Sequence, residues 1–360
     1  MGINLQDILA AIGVVINGLP QGLLALSFGF ASVPTAIGFA IGAVGCGVLN
    51  VVAPISFQAE TITLAGTLGR DIRERLSIIF FEGAILAVVG LFGLFTLTVN
   101  FIGPVISNAM MAGVGVILAK VAVDMVKKNY SVGLISVVTA LLTYYITPNP
   151  GNKLVYTIVI SVIVSTIAAL MLKQENDLVI DESREKFIFQ KPIMNANVLR
   201  GALALVTLNI GANIAFGNIT AQTIAKTNVN LDHLTIISSF ADMGSSLFGG
   251  APVESIISAT GAAPHPVTSA VLMMSIMAII LVLKLLPKIG RYVPSESIAG
   301  FLFVLGAIVT VPTNMSLAFA DATATSTVVA GVTMAVTAII EPFSGMAAGV
   351  IIQLLIGFFP

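Results

Sequence analysis

Long apolar stretches separated by short polar ones dominate the hydropathy pattern of the chain. A helix needs roughly 20 apolar residues to cross a bilayer, and twelve apolar stretches predict spans near 7–28, 31–52, 76–99, 104–126, 132–147, 155–172, 197–217, 234–249, 266–286, 295–311, 326–341 and 344–359. Two further segments, 54–69 and 251–263, are too short and too rich in Gly, Thr and Ser to be ordinary spans. The pattern predicts an all-α integral membrane protein of fourteen segments, with segments 3 and 10 short and interrupted.

A polar stretch after the seventh segment, Lys173 to Lys191, divides this pattern into two halves of seven. Similar phrases occur in the same order in both halves, such as VVINGLPQGLLALS with VTLNIGANIAFGNI, and AETITLAGT with VESIISATG. Because seven is odd, the second half enters the membrane from the opposite side, which makes an inverted repeat of the transporter type. The predicted organisation is a first repeat, a polar linker and a second repeat, over 1–172, 173–192 and 193–360.

Composition excludes several classes of protein. Hydrophobic residues make up 57% of the chain and charged ones 9%, against about 25% charged residues in soluble domains. This indicates a multi-pass protein of the plasma or inner membrane. A net charge of -1 offers no basic stripe for a nucleic acid. No HExxH, GxSxG or paired-Asp motif is present and neither histidine has metal-ligand spacing, so we expect no enzyme, metal or cofactor.

Each short segment contains a glutamate beside a hydroxyl residue: Glu60 precedes Thr61, and Glu254 precedes Ser255. A helix that ends in mid-membrane exposes free N–H groups and a positive dipole end. An ionised carboxylate at that depth costs several kcal/mol unless it is paired. Each glutamate is therefore a group that binds a proton or a ligand, or else a helix cap or the partner of a lysine.

Other polar residues within the spans extend this hypothesis. Asn17 and Gln21 are four residues apart on one helix face, as are Asn209 and Asn213. Amides donate and accept hydrogen bonds, which suits a flat neutral ligand, although they also join membrane helices. Three further acids could form a coupling-ion relay or lie at wetted span ends: Glu82, Asp242 and Glu341. Asp242 is the strongest of these candidates, because its stretch, FADMGSSLFGG, leads directly into the second short segment.

The phrases NIGANIAFGNITA, SSLFGGAPVESIISATG and PVISNAMMAGVGVILA make the chain resemble the nucleobase–cation symporter family, including its guanine/hypoxanthine permease branch. The resemblance covers most of the chain at low similarity. It implies a core domain of segments 1–4 and 8–11 and a gate domain of segments 5–7 and 12–14. The family's base-binding acids on segments 8 and 10 fall at Leu208 or Asn209 and at Ser258, none of them acidic, and Phe57 matches the aromatic position of segment 3.

These observations predict a secondary active permease for a small polar solute, a purine or related nucleobase, coupled to protons or sodium. The coupling-ion candidates are Glu60, Glu254 and Asp242. The predicted pocket is lined by Glu254, Ser255, Ser258, Asn209, Asn213, Glu60, Phe57, Gln21 and Asn17. The expected partners are the solute, the coupling ion and the lipid bilayer, and a homodimer is left open.

Two rival substrate classes remain. Sulfate-permease-like anion transporters share this architecture, but a carboxylate on each short segment would repel an anion. The other rival is a carrier of a small organic cation bound by Glu60 and Glu254.

The distribution of basic residues predicts the orientation. Only Lys153 and Lys226 lie in loops on one side, Lys120 lies inside a span, and the remaining 13 of the 16 basic residues lie in loops on the other side. The positive-inside rule places that crowded side, with the 173–191 linker, in the cytoplasm and both termini outside. The nucleobase symporters are oriented the other way round.

Overall fold

The apolar stretches form helices in the predicted order. The structure, a computed structural model, describes residues 4–148, 150–174, 182–213, 219–228, 230–321 and 323–358. The first half contains α1 (Leu5–Ser27), α2 (Ser32–Leu49), β1 (Ile55–Ser56), α3 (Ala59–Leu68), α4 (Ile72–Leu91), α5 (Phe95–Lys128), α6 (Tyr130–Ile146) and α7 (Pro150–Met171). The second contains α8 (Ala196–Ala212), α9 (Leu231–Ser246), β2 (Glu254–Ser255), α10 (Pro266–Val282), α11 (Leu285–Gly290), α12 (Ala299–Phe303), α13 (Val311–Ala318), α14 (Ala324–Ile339) and α15 (Pro342–Phe358).

Length and composition identify this as a multi-pass integral membrane protein. Five stretches within the described ranges are long and apolar enough to cross a bilayer: Leu5–Ser27, Ser32–Leu49, Leu97–Lys128, Lys153–Met171 and Ser295–Ala318. The last of these is one helical stretch that joins α12 and α13 through a π-helical segment, Val304–Thr310. The described ranges also contain five shorter apolar helices of 10–17 residues.

Two details of the helices differ from the expected spans. Gly103 has φ 77°, which only glycine adopts readily, and it divides the long α5 into two helices that meet at a kink. The second short segment contains no α-helix, only the strand β2 and the four-residue 3-10 turn Ala259–Ala262. Pro264 and Pro266 follow that turn, and residues before proline disfavour the helical region. The expectation of a half-helix in each repeat is therefore met by α3 alone.

The first compact unit of the chain comprises Met1–Thr96, Asn176–Ala202 and Ala212–Val293. In it α2 packs on α9 and α10, and α4 packs on α9. Glycines permit these close approaches: a Cβ atom on Gly83 would lie 2.7 Å from the Ser239 carbonyl oxygen. Small residues at helix contacts are typical of membrane bundles, where close backbone packing supplies much of the attraction.

The second unit comprises Leu97–Glu175, Leu203–Gly211 and Pro294–Pro360. The Ser136 hydroxyl donates to the Ser297 carbonyl oxygen (2.7 Å) and accepts from the Gly300 amide (2.9 Å), which fastens α6 to the start of α12. The two units confirm the expected core and gate domains, with one difference: the Leu203–Gly211 part of α8 belongs to the second unit.

Candidate functional site

The two interrupted segments meet in a two-stranded antiparallel ladder. Ile55 lies opposite Ser255, and Ser56 lies opposite Glu254. The Ile256 amide extends the ladder by donating to the Pro54 carbonyl oxygen at 3.2 Å. Extended backbone within a membrane protein needs partners for its N–H and C=O groups. Each interrupted segment supplies them for the other, so the ladder brings one phrase from each repeat together.

Side chains after β1 hold the start of α3 against this ladder. The Gln58 amide nitrogen donates to the Ser255 carbonyl oxygen (3.3 Å), and its oxygen accepts from the Thr61 hydroxyl (2.5 Å). The Phe57 ring is buried edge-on against Phe39, with ring centroids 5.3 Å apart. Phe57 is thus a packed core residue.

The two glutamates that looked equivalent in the sequence occupy different places. Glu254 lies in β2 opposite Ser56, whereas Glu60 lies beyond the ladder in the first turn of α3. Glu60 is buried. The acidic phrases therefore do not face each other across the ladder.

Glu254 belongs instead to a cluster of three buried carboxyl groups. One oxygen each from Glu82 on α4, Asp242 on α9 and Glu254 lie within 4.8 Å of one another. The Glu254 carboxyl group hydrogen-bonds to Asp242 and to Ser238, one turn earlier on α9. Asp242 Oδ1 also accepts from the Val253 amide at 2.7 Å, immediately before β2. Two of the coupling-ion candidates, Asp242 and Glu254, thus lie together, while Glu60 is not part of this group.

Electrostatics limits what this cluster can do. All three carboxyl groups are at most 1% exposed, and like charges this close disfavour simultaneous ionisation. A stable arrangement needs shared protons or a bound cation, and carboxylate oxygens are the ligands that hard cations prefer. The chemistry of the cluster is therefore uptake of a proton or of a small hard cation.

Several buried polar atoms near the ladder and on the neighbouring helices have no hydrogen-bond partner among the described residues. They are Ser56 Oγ, Ser255 Oγ, Asn17 Oδ1 and Asn213 Oδ1. The Asn213 amide nitrogen does donate to the Thr235 hydroxyl on α9 (3.3 Å). Since nearly all buried polar atoms in proteins have a partner, these atoms indicate where water or a ligand binds.

The remaining predicted site residues are placed as follows. Ser258 caps the 3-10 turn, with its hydroxyl oxygen accepting from the Thr260 amide (3.2 Å). Gln21 is half-buried on α1. Asn209 is fully buried but belongs to the second unit, whereas Asn213 belongs to the first. The structure therefore does not bring the nine predicted residues together within one unit.

The sequence analysis did not identify two residues that contact the ladder or the carboxyl cluster. It also considered a relay role for one residue that caps a helix. Ser238 was not singled out, although it lies four residues before Asp242 and so on the same face of α9. The Thr220 hydroxyl, which donates to the Ile256 carbonyl oxygen (2.9 Å) beside the ladder, carried no sequence signal. Glu341 accepts from the Phe343 and Ser344 amides (2.7 and 2.9 Å), so it caps the first turn of α15.

Comparisons with known proteins show the fold. No protein-family profile matches the chain, and no curated protein sequence matches it. The structure of SLC26A9 matches with a TM-score of 0.70 at 15% identity, over 98% of this chain and 65% of that one, so the chain spans about two thirds of its length. The transmembrane domain of a cyanobacterium bicarbonate transporter, BicA, matches with a TM-score of 0.67 at 15% identity, over 98% of both chains.

A third structure leads to the same fold. The murine Slc26a9 anion transporter in the inward-facing state matches with a TM-score of 0.69 at 14% identity, over 100% of this chain and 69% of that one. The structural matches support the fold that the nucleobase–cation symporter resemblance implied, and they do not support membership of that family. The chain has the seven-plus-seven inverted-repeat fold of these membrane proteins.

Proposed function

We propose that the chain is a secondary transporter that moves a small inorganic anion together with a coupling cation, either a proton or a sodium ion. The observation that carries the proposal is the pairing of the two interrupted segments, with the carboxyl cluster of Glu82, Asp242 and Glu254 attached to one strand of the pair. The named anion and bicarbonate transporters with this fold support the choice of an anion.

The cluster answers the objection that glutamates in the short segments would repel an anion. Glu254 hydrogen-bonds to Ser238 and Asp242 on α9, so a cation or proton bound there neutralises the negative charge beside the ladder. An anion then binds more tightly, and by thermodynamic reciprocity the anion tightens binding of the cation by the same factor. Electrostatics alone therefore couples the two.

The hydroxyl groups of Ser56 and Ser255 are the two candidate anion donors. They lie on opposite faces of the ladder, Ser56 on the face of Glu254 and Ser255 on the face of Ile55, so one of the two serves the anion. Both hydroxyls are buried beside the ladder without a partner among the described residues. A hydroxyl can donate to an anion and can accept from water when the anion leaves.

A neutral flat solute such as a nucleobase is the second candidate, and one observation favours it. The buried amide oxygens of Asn17 and Asn213 have no described partner, and an amide oxygen accepts from N–H groups but cannot bind an anion.

Uptake into liposomes tests both candidates. We expect the purified protein to take up sulfate, bicarbonate or chloride faster under an inward proton or sodium gradient. Glu254→Gln preserves the size of the side chain and removes its charge, so uptake in this variant should no longer respond to the gradient. The matched control is Asp124→Asn, which also replaces a carboxylate by an amide, at an exposed residue that pairs with Lys127.

Other results would redirect the proposal. Uptake of purines or pyrimidines without any anion uptake would favour the second candidate. Anion uptake with the same gradient response in wild type and Glu254→Gln would contradict the role of the cluster.

A further inference from the structure

We propose that Glu185, in the polar linker between the repeats, is a positioning residue that holds the strand carrying Glu254 in place. The proposal rests on the proposed function only for its transport measurement. It concerns the first compact unit, to which the linker residues 182–202 and both strands belong.

Glu185 caps the N-terminus of α2 from 153 residues away. Its carboxylate accepts from the Ser32 amide (2.9 Å), the Ser32 hydroxyl (2.8 Å) and the Val33 amide (2.7 Å). It is 3% exposed. The local N-cap residue, Ala31, has no side chain that can do this. A carboxylate at this position satisfies free N–H groups and interacts favourably with the positive end of the helix dipole.

The capped first turn of α2 in turn holds residues 249–251, the loop that leads into β2. The Ala31 amide donates to the Gly249 carbonyl oxygen at 3.0 Å. One turn into α2, the Thr35 hydroxyl oxygen accepts from the Ala251 amide at 2.8 Å. The first turn of α2 therefore fixes residues 249–251 at two points.

That loop continues directly into the carboxyl cluster. The Ala251 carbonyl oxygen accepts from the Ser245 hydroxyl (2.6 Å), and the Val253 amide donates to Asp242 (2.7 Å). Glu254 is the next residue. Hydrogen bonds joined by short stretches of backbone thus connect the linker carboxylate to the strand that carries Glu254.

Other residues of the linker contact the start of the same loop directly. Phe187 and Phe189 both contact the Phe248 ring, with centroids 6.4 and 6.3 Å apart. The Gln190 amide donates to the Leu247 carbonyl oxygen at 2.7 Å. This stretch of linker therefore packs as part of the unit, and its position sets that of the 247–251 loop.

Hydrogen exchange of the 360-residue chain in detergent tests these connections directly. In Glu185→Gln we expect the Ser32 and Val33 amides to exchange about tenfold faster or more, the effect of losing one charge-assisted hydrogen bond. We expect the Val253 amide to exchange faster as well. Thr35→Val breaks these connections halfway, so it should accelerate exchange at Ala251 and Val253 but not at Val33. Lys186→Gln, at the exposed neighbouring residue, is the control.

Transport kinetics distinguish a positioning role of Glu185 from a simple loss of folded protein in the variant. In Glu185→Gln the KM for the coupling cation should rise about threefold or more while Vmax per folded transporter changes less than twofold. Loss of folded protein would lower Vmax and leave KM unchanged. If Glu185→Gln does not fold, Ser32→Ala removes a single hydroxyl donor and should give the same pattern more weakly.

Two outcomes would overturn the proposal. Unchanged exchange at Ser32 and Val33 would show that the cap is absent in solution. Faster exchange there with an unchanged Val253 amide would limit Glu185 to capping α2. Should no solute be transported by wild type, the proposed function fails while the exchange data still decide the role of Glu185.

Discussion

Four of the buried carboxyl groups represent two different kinds of surroundings, and their hydrogen-bond partners distinguish them. Glu185 and Glu341 accept from backbone amides in the first turn of a helix. Asp242 and Glu254 instead hydrogen-bond to each other, an arrangement that requires a proton or a cation between two acids. The first kind of carboxyl group stabilises a helix. The second kind can bind and release a proton or cation during transport.

The cap at α15 gives a prediction for Glu341. Replacing Glu341 by Ala should destabilise the protein by about 1 kcal/mol, the usual effect of removing a helix cap. The thermal unfolding midpoint should therefore fall while the KM for the coupling cation stays unchanged. In contrast, Asp242→Asn should alter the cation dependence. A changed KM for the cation in Glu341→Ala would contradict this and would support a role for Glu341 in the coupling-ion relay.

At the scale of elements, hydropathy predicted the helices because each is an apolar run that a glycine-rich or polar stretch ends. The break between α1 and α2, for example, contains Gly29 at φ 82°. The β1–β2 pairing could not be predicted in the same way. A strand of two residues has no periodicity, and the pairing joins positions about 200 residues apart, Ile55 with Ser255 and Ser56 with Glu254.

The sequence predicted only part of the candidate site, because contacts between distant segments leave no local pattern. Asp242 and Glu254 are close in sequence, and both were identified as coupling-ion candidates. Glu82 joins them only through the packing of α4 on α9. The sequence does contain one relevant signal, since a carboxyl group in an apolar helix needs a partner. It does not say which helix supplies that partner.

Close packing around β1 gives a prediction at this scale. A Cβ atom on Gly42 of α2 would lie 2.5 Å from Ile55 and 2.8 Å from Met274, whereas one on Gly47 would meet nothing closer than 3.9 Å. Gly42→Ala should therefore displace β1, lower the unfolding temperature and reduce uptake. Gly47→Ala, the same change on the same helix, should leave uptake intact and stabilise the helix by up to about 1 kcal/mol. Equal behaviour of the two variants would contradict this account.

At the scale of the whole molecule, two basic parts of the first unit lie together, the loop before α4 and the linker. Arg75 donates to the Phe28 carbonyl oxygen after α1 (2.6 Å), and Arg73 donates to the Lys191 carbonyl oxygen of the linker (3.5 Å). The loop after segment 3 and the linker therefore share a side, as the positive-inside argument requires. Which side faces the cytoplasm is a prediction of that rule.

Cysteine labelling checks the orientation. The native Cys46 is fully buried and its thiol donates to the Ala53 carbonyl oxygen (2.9 Å), so it should not react with the reagent and can be kept in the labelled variants. In intact cells we expect Lys226→Cys to react with a membrane-impermeant maleimide and Lys186→Cys to react only after permeabilisation. The reverse pattern would place the linker outside, as in the nucleobase symporters.

The ladder between β1 and β2 has a consequence for biosynthesis. Its second strand is made about 200 residues after its first, which at 5–20 residues per second is about 10–40 s later. Throughout that interval the backbone of Ile55 and Ser56 lacks its partner, and open strand edges are not tolerated in lipid. The nascent first repeat must therefore be shielded, by the insertion machinery or by temporary self-association, until the second repeat arrives. A chain truncated after the linker should accordingly be degraded quickly, even though the long helices of the first repeat are all present.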